Sequence, residues 1–404
     1  MVALGAVDGD NNLDVVFGDE GRRNRVCLGD GSGGFTCKDV STDTNDTNGV
    51  ALGDVDRDGD LDAVFANAFS QRNRVCLGNG AWGFTCSDVS IESNDSMDVA
   101  LTPSGVERLA GANRFATAAA ISASEFDPGV PAAYVATGGN FPDALAGGPV
   151  AALNGGPILL LSSIPGATAA ELTRLQPQKI VILGGTGVVS AADAAALAAF
   201  TAGPVERLSG ANRFATAAAI SASEFSPGVP VAYVATGANF PDALAGGPVA
   251  AINGGPILLV NADSIPAATA LELVRLQAQK IVILGGTGVV SDTVATQLAF
   301  LTAGAVERLA GANRFATAAA ISASQFNPGV DVVYVATGAN FPDALAGGPV
   351  AGINSGPILP VNQNNIPGAT AAELTRLAPK KIVILGGSGV VSIAVETQLA
   401  AFIS

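Results

Sequence analysis

The stretch "VERLAGANRFATAAAISAS", Val106 to Ser124, decides the fold. Four residues of strand character run into a Gly-containing turn and then an alanine-rich segment with helical spacing. The same stretch returns at Val205 and Val306, with "GANRFATAAAISAS" unchanged each time. The interval is 99 residues from Arg108 to Arg207 and 101 from Arg207 to Arg308. The two extra residues fall where "LLSSIP" becomes "LVNADSIP" and "PVNQNNIP", which marks an exposed loop. Within the first unit, strands "VERL", "AAYVATG", "PILLL" and "KIVILGG" alternate with helices predicted over Asn113–Phe126, Phe141–Leu153, Ala167–Leu175 and Ala191–Phe200. Strand and helix in alternation give a parallel sheet with right-handed crossovers, and nearly all-apolar strands require cover on both faces. The expectation is an α/β chain of three tandem Rossmann-like modules, each with its own strands, over 106–204, 205–305 and 306–404.

Residues 1–105 follow another period. "VALGAVDGDNNLDVVF" at Val2 returns as "VALGDVDRDGDLDAVF" at Val50, and a stump "VALTPSG" begins at Val99. Short alternating strands between Asp, Asn and Gly turns predict all-β propeller blades. Two blades do not close a propeller, so the segment reads as partial, with Met1 an internal start or truncation that accounts for the missing signal peptide.

Composition narrows the function. Residues 1–105 hold 18 acids against 7 bases, and the rest 17 against 13, so most of the net charge of -15 sits in the first quarter. No cluster of Lys and Arg exists to neutralise phosphates, which speaks against nucleic acid. Histidine is absent, removing His-ligated zinc, Ser-His-Asp and Cys-His chemistry. No apolar run reaches the ~18 residues a membrane span needs, so no membrane insertion is expected. The cysteines form two matched pairs, Cys27 with Cys37 and Cys76 with Cys86, each flanking a Gly-rich hairpin turn. Two disulfides and an oxidising, extracytoplasmic home follow; reduced core thiols are the alternative.

"DVDRDGDLD", Asp54 to Asp62, places carboxylates at Asp54, Asp56, Asp58 and Asp62, with Gly59 for the turn and a backbone carbonyl from Asp60. Crowded hard oxygen donors in one loop suit Ca2+. In the first copy Ala6 and Asn11 replace a ligand and the glycine, leaving Asp8, Asp10 and Asp14 as a weaker or empty site. These loops, with "LGDGSGGF" and "LGNGAWGF", resemble the FG-GAP repeats of integrin-type propellers and secreted bacterial proteins. That implies blades with structural calcium and, loosely, adhesion or display.

The long unit, with "ERLAGANRFATAAAIS", "YVATGGNFPDALAGGPVAA", "GPILL" and "KIVILGGTGVVS", resembles the type 2 cell wall-binding repeat of surface-layer and autolysin-associated proteins over Val106 to Ser404. The resemblance implies three modules about a pseudo-threefold axis and non-covalent anchoring to an anionic cell-wall polysaccharide or teichoic-type polymer, at the cell wall or cell surface.

Arg114, Arg213 and Arg314 begin predicted helices, where the macrodipole disfavours a cation by a few tenths of a kcal/mol. Either an ion pair offsets this, with the Asp of "NFPDALAG" (Asp143, Asp242, Asp343) or the Glu of "VERL" (Glu107, Glu206, Glu307), or the arginine joins free N–H groups to hold a phosphate or uronate. "LGGTGVVS" is one glycine short of a dinucleotide fingerprint and reads as a structural turn, or else an anion-binding nest. Ser190 with Asp193 predicts a capping box. The composite expectation is a non-catalytic surface protein; the alternatives are a self-assembling surface-layer subunit, with surface-protein or self partners, and a glycosidase using carboxylates such as Asp143 and Glu107.

Overall fold

The computed structural model describes all residues except 9, 11, 54, 57–59, 82, 90–104, 141, 240 and 341. The chain forms two compact units, Met1–Ser104 and Gly105–Ser404.

The first unit holds two four-stranded antiparallel sheets in sequential order. One comprises β1 (Val2–Gly5), β2 (Asp14–Phe17), β3 (Arg25–Gly29) and β4 (Phe35–Asp39); the other β5 (Thr47–Gly53), β6 (Asp62–Asn67), β7 (Arg74–Gly78) and β8 (Phe84–Asp88). Cys27 stands opposite Cys37 and Cys76 opposite Cys86, and both pairs are disulfides. Val16, Val26 and Leu28 of the first sheet share one core with Ala63, Phe65 and Cys76 of the second. Asp14 and Asp62 are wholly buried because each brackets its blade. Asp14 accepts from the N–H groups of Val7 (2.7 Å) and Gly29 (2.8 Å), and Asp62 from those of Val55 (2.6 Å) and Gly78 (2.8 Å).

In the second unit the first repeat contributes β9 (Val106–Leu109), α1 (Arg114–Glu125), β10 (Ala133–Thr137), α2 (Pro142–Leu153), β11 (Ile158–Leu161), α3 (Gly166–Leu175), β12 (Ile180–Leu183) and α4 (Ala191–Leu197). The second contributes β13 (Val205–Leu208), α5 (Arg213–Glu224), β14 (Ala232–Thr236), α6 (Pro241–Ile252), β15 (Ile257–Val260), α7 (Ala267–Leu276), β16 (Ile281–Leu284) and α8 (Asp292–Leu298). The third contributes β17 (Val306–Leu309), α9 (Arg314–Gln325), β18 (Val333–Thr337), α10 (Pro342–Ile353), β19 (Ile358–Val361), α11 (Gly368–Leu377), β20 (Ile382–Leu385) and α12 (Ile393–Leu399). The Asn113 side chain caps α1 by accepting from the N–H groups of Phe115 and Ala116, which is why the helix starts at Arg114.

The sheets do not follow the repeats. Their strand orders are β11-β10-β12-β13, β15-β14-β16-β17 and β19-β18-β20-β9, all parallel. Each "VERL" strand therefore completes the sheet of the preceding repeat, and the first pairs with the last, Val106 beside Ile382 and Leu109 beside Leu385. The expectation that every long unit has its own strands is corrected: each owns three and borrows the fourth, and the three repeats form a closed ring. The three junctions share a polar latch. The side-chain amide of Asn154 donates to Glu224 (2.8 Å), that of Asn253 to Gln325 (2.9 Å) and that of Asn354 to Glu125 (2.7 Å).

Helices α2, α6 and α10 are buried on nearly every side, since they meet around the ring axis. Only about 10 Å³ is left between Ala144, Ala243, Ala344 and their neighbours there. Close approach breaks the symmetry at one position. Ala152 and Ala251 have Gly352 as their counterpart, and a methyl on Gly352 would lie 2.9 Å from Cβ of Ala251 and 3.1 Å from Cβ of Ala152. Gly352→Ala is expected to cost about 1–3 kcal/mol by overpacking and to lower the melting temperature of residues 105–404 in calorimetry. An unchanged Tm would show that the helices do not meet this tightly.

Candidate functional site

In each sheet the chain leaves the central strand to one side and then crosses to the other: β10 leads to β11, and β12 returns on the opposite flank of β10. The loops after β10 and β12 diverge, and the crevice between them at the carboxyl ends of the strands is where open α/β sheets bind ligands. A cleft of about 370 Å³ lies there, lined by Asn140, Asp143 and Gly185–Val188 from the first repeat and by Gly210–Arg213 from the second. No single repeat owns the cleft.

Arg213, the first residue of α5, donates through Nη1 to the carbonyl of Gly237 at 2.5 Å; Arg114 does the same to Gly138 at 2.5 Å, and Arg314 to Gly338. A carbonyl at the end of the central strand thus answers the cation at each helix start. The facing acid comes from the preceding repeat. Burial raises the pKa of Asp143, and the Arg213 charge opposes that rise; Asp242 stands in the same relation to Arg314. Asp343 stands so to Arg114 across the closing junction, its pKa pushed up to about 6. The glutamates of "VERL" are engaged elsewhere: Glu206 pairs with Lys179 (3.4 Å), Glu307 with Lys280 (3.1 Å) and Glu107 with Lys381. Asp143 lines the first cleft, whereas Glu107 lines a separate hollow with Asp331 and Tyr334, so the carboxylate pair considered for hydrolysis is not brought together.

The "LGG" turn packs against the acid. Gly184 has φ +111°, and a Cβ there would lie 2.4 Å from Oδ2 of Asp143, so both conformation and space demand glycine. Gly285 and Gly386 repeat this against Asp242 and Asp343. The carbonyls of Gly184, Gly285 and Gly386 accept from Nη1 of Arg207 (2.7 Å), Arg308 (2.9 Å) and Arg108 (2.7 Å). These arginines escaped the sequence reading, although their identical place in "VERL" was the available signal. Ser190 and Asp193 form the expected capping box, while Ser291 and Ser392 cap their helices with Val294 and Val395 in place of that acid.

In the first unit Asp8, Asp10 and Asp14 come together with ligand oxygens within 4.8 Å of one another. Burial and the neighbouring carboxylates raise the pKa of Asp8, while the backbone N–H of Asn12 foremost lowers that of Asp10. In the second copy Asp54 and Asp58 lie outside the described residues. Asp56 and Asp60 are described and engaged in interactions, and Asp62 is the bracket of its blade. A cluster of three carboxylates fits a hard divalent cation.

Donated strands join the three Rossmann-like repeats into a closed α/β ring with a cleft at the junction of the first two. The chain belongs to the family Cell wall binding domain 2 (CWB2), matched over residues 108–200, 207–295 and 308–396. Residues 7–65 match an FG-GAP-like repeat. N-acetylmuramoyl-L-alanine amidase LytC of Bacillus subtilis is 30% identical over 301 residues, 74% of this chain and 59% of that protein. The Amidase enhancer of Bacillus subtilis is 29% identical over 297 residues, 73% of this chain and 40% of its own. The chain thus spans less than two thirds of either relative. Two solved structures share the fold, both from Clostridium difficile. Cwp6 has a TM-score of 0.70 at 19% identity, over 96% of this chain and 66% of that one. Cwp8 has 0.66 at 24%, over 88% and 64%.

The raised pKa of Asp343 fixes a sign. The folded protein holds this proton more tightly than the unfolded chain does, so the ionised form opposes folding above about pH 6. That burden lifts as pH falls through about 6 toward the ordinary carboxylate value. Asp343→Asn is therefore expected to raise the Tm at pH 8 by a few degrees and to leave it unchanged below pH 4. Thermal melts at both pH values check this; a lower Tm at pH 8 contradicts it.

Proposed function

We propose that the three CWB2 repeats, cell wall-binding modules by family, place this protein at the cell wall or cell surface. We propose that the chain is a non-catalytic surface protein held to an anionic wall polysaccharide through the three inter-repeat clefts, with the blade unit displayed. The observation that carries this is the threefold recurrence of an arginine facing a half-buried carboxylate across a junction. Among the described residues no hydrogen-bond donor reaches the carboxylates of Asp143, Asp242 and Asp343. A desolvated acceptor without a donor opposes folding and accepts sugar hydroxyls well. The guanidinium beside it suits a phosphate or uronate. With 17 acids against 13 bases beyond residue 105, the unit exerts no long-range pull on an anion, so recognition rests on these local groups.

One such contact is weak, and three on a ring facing a repetitive polymer gain through effective concentration. Replacing Arg114, Arg213 and Arg314 together by Gln is expected to abolish retention on purified walls while the protein remains folded by thermal melting. Full retention by the folded triple variant removes the arginines from the site. A surface-layer subunit is the second reading, and it predicts concentration-dependent sheets without walls.

We also propose that Ca2+ binds the aspartate loops of the blade unit, supported by the Asp8, Asp10, Asp14 cluster and by the motif at Asp54, Asp56, Asp58 and Asp62. Calorimetric titration should give binding that Asp56→Ala weakens, together with a Ca2+-dependent rise in Tm. Absence of any heat or Tm change sinks the assignment.

A further inference from the structure

The rims of the three clefts repeat one another, yet the edge strand beneath one of them differs. β11 reads "ILLL", β15 "ILLV" and β19 "ILPV". Leu160 and Leu259 are fully buried at 0% exposure, while their counterpart Pro360 is half-buried. An edge strand tolerates proline because one row of its N–H groups has no ladder partner. The backbone keeps its place. The carbonyls of Leu160, Leu259 and Pro360 all accept from a threonine hydroxyl of the following helix, at 2.8, 2.7 and 2.8 Å. The change is therefore one of side-chain shape.

Beside Pro360 opens a crevice of about 20 Å³, walled by Leu244 and Ala245 of α6, by Ala336, Ile358 and Pro360 of the third repeat, and by Ala344 of α10. It extends to Pro241, Gly338 and Thr337, whose hydroxyl already accepts from the N–H of Ala339 (3.2 Å). Pro241 precedes Asp242, the carbonyl of Gly338 accepts from Arg314, and a Cβ on Gly338 would lie 3.3 Å from Cβ of Pro360, so the crevice adjoins the residues that carry the polar groups of the junction between the second and third repeats. The space is that of a single water-sized group, and an apolar lining gives water too few partners to settle there. A methyl group fits both the size and the lining.

We infer that this cleft carries an apolar subsite for a methyl group borne by a sugar, either the acetyl methyl of an acetamido sugar or the methyl of a 6-deoxy sugar, placed beside Asp242 and Arg314. The inference rests on the polymer-binding reading and deepens it: the three clefts are unequal, and the Pro360 cleft selects for substitution. Leucine at this position, as in the sister strands, fills the crevice without disturbing the rim.

Saturation-transfer NMR on the full chain, with N-acetylglucosamine, rhamnose and glucose as separate probes, tests it. In the native protein the acetyl or the 6-deoxy methyl should receive the strongest saturation, and which of the two does so identifies the source. Pro360→Leu should weaken binding of that sugar about tenfold, the scale of one methyl in an apolar pocket, and leave glucose unchanged. Equal methyl saturation in native and variant proteins, or none in the native protein, overturns the subsite. Ala245→Val, which narrows the crevice from the opposite wall, should reproduce the loss if Pro360→Leu melts early; normal methyl binding in that variant also overturns it. Wall retention of the same variants separates the two readings. A Pro360→Leu protein that stays on walls with its methyl signal lost supports the subsite, whereas failure of the polymer reading shows only in the arginine triple variant.

Discussion

The pairing of β9 with β20 is the contact on which the rest of the second unit depends. It is an ordinary parallel ladder, with the N–H groups of Ile382 and Gly386 donating to the carbonyls of Gly105 (2.8 Å) and Leu109 (2.9 Å). Its consequence is out of proportion to its size. Each repeat ends its own chain segment with a sheet one strand short. Two of the deficits are met by the next repeat along the chain. The third is met only by returning to the beginning. A ring of three satisfies every edge in the same way, and β20 would otherwise present an unpaired apolar edge.

The same donation builds the clefts. Because the "VERL" strand lies in the preceding repeat's sheet, the loop that follows it, with its asparagine cap and arginine, arrives at the carboxyl end of that sheet. There it meets the aspartate of "PDALAG" and the "LGG" turn. The proposed binding groups and the fold are thereby coupled: an arginine of one repeat faces an acid of another only where the strand is donated, and the Asp343–Arg114 relation exists only while the ring is closed. The cost falls on Asp143, Asp242 and Asp343, which are partly desolvated and, among the described residues, without a donor, and the ring's packed axis and latched junctions offset it.

Much of this was legible in the residues because it is local. Strand and helix periods, the Asn113, Asn212 and Asn313 caps, the Ser190 capping box and the two hairpin disulfides all depend on neighbours within a few positions. The recipient of each "VERL" strand was not legible, because an identical strand fits its own sheet or its neighbour's equally well by pattern. That arginine and aspartate stand in relation was legible by residue type, but which repeat supplies the acid was not. Asp14 and Asp62 carried a signal for oxygen chemistry that the structure shows to include a second task, since their carboxylates bridge each blade's aspartate loop and its third strand.

Closure of the ring is measured most directly by native-state hydrogen exchange at the amides that face the donated strands. Ile382 and Gly386 donate across the closing junction, as Ile180 and Gly184 do within the chain to Pro204 (3.1 Å) and Leu208 (2.9 Å). If the ring is closed by the first strand, all four amides exchange at the same slow rate, set by opening of the whole unit. Rapid exchange confined to Ile382 and Gly386 would mean that β20 is an open edge and that the third cleft, between Asp343 and Arg114, does not form.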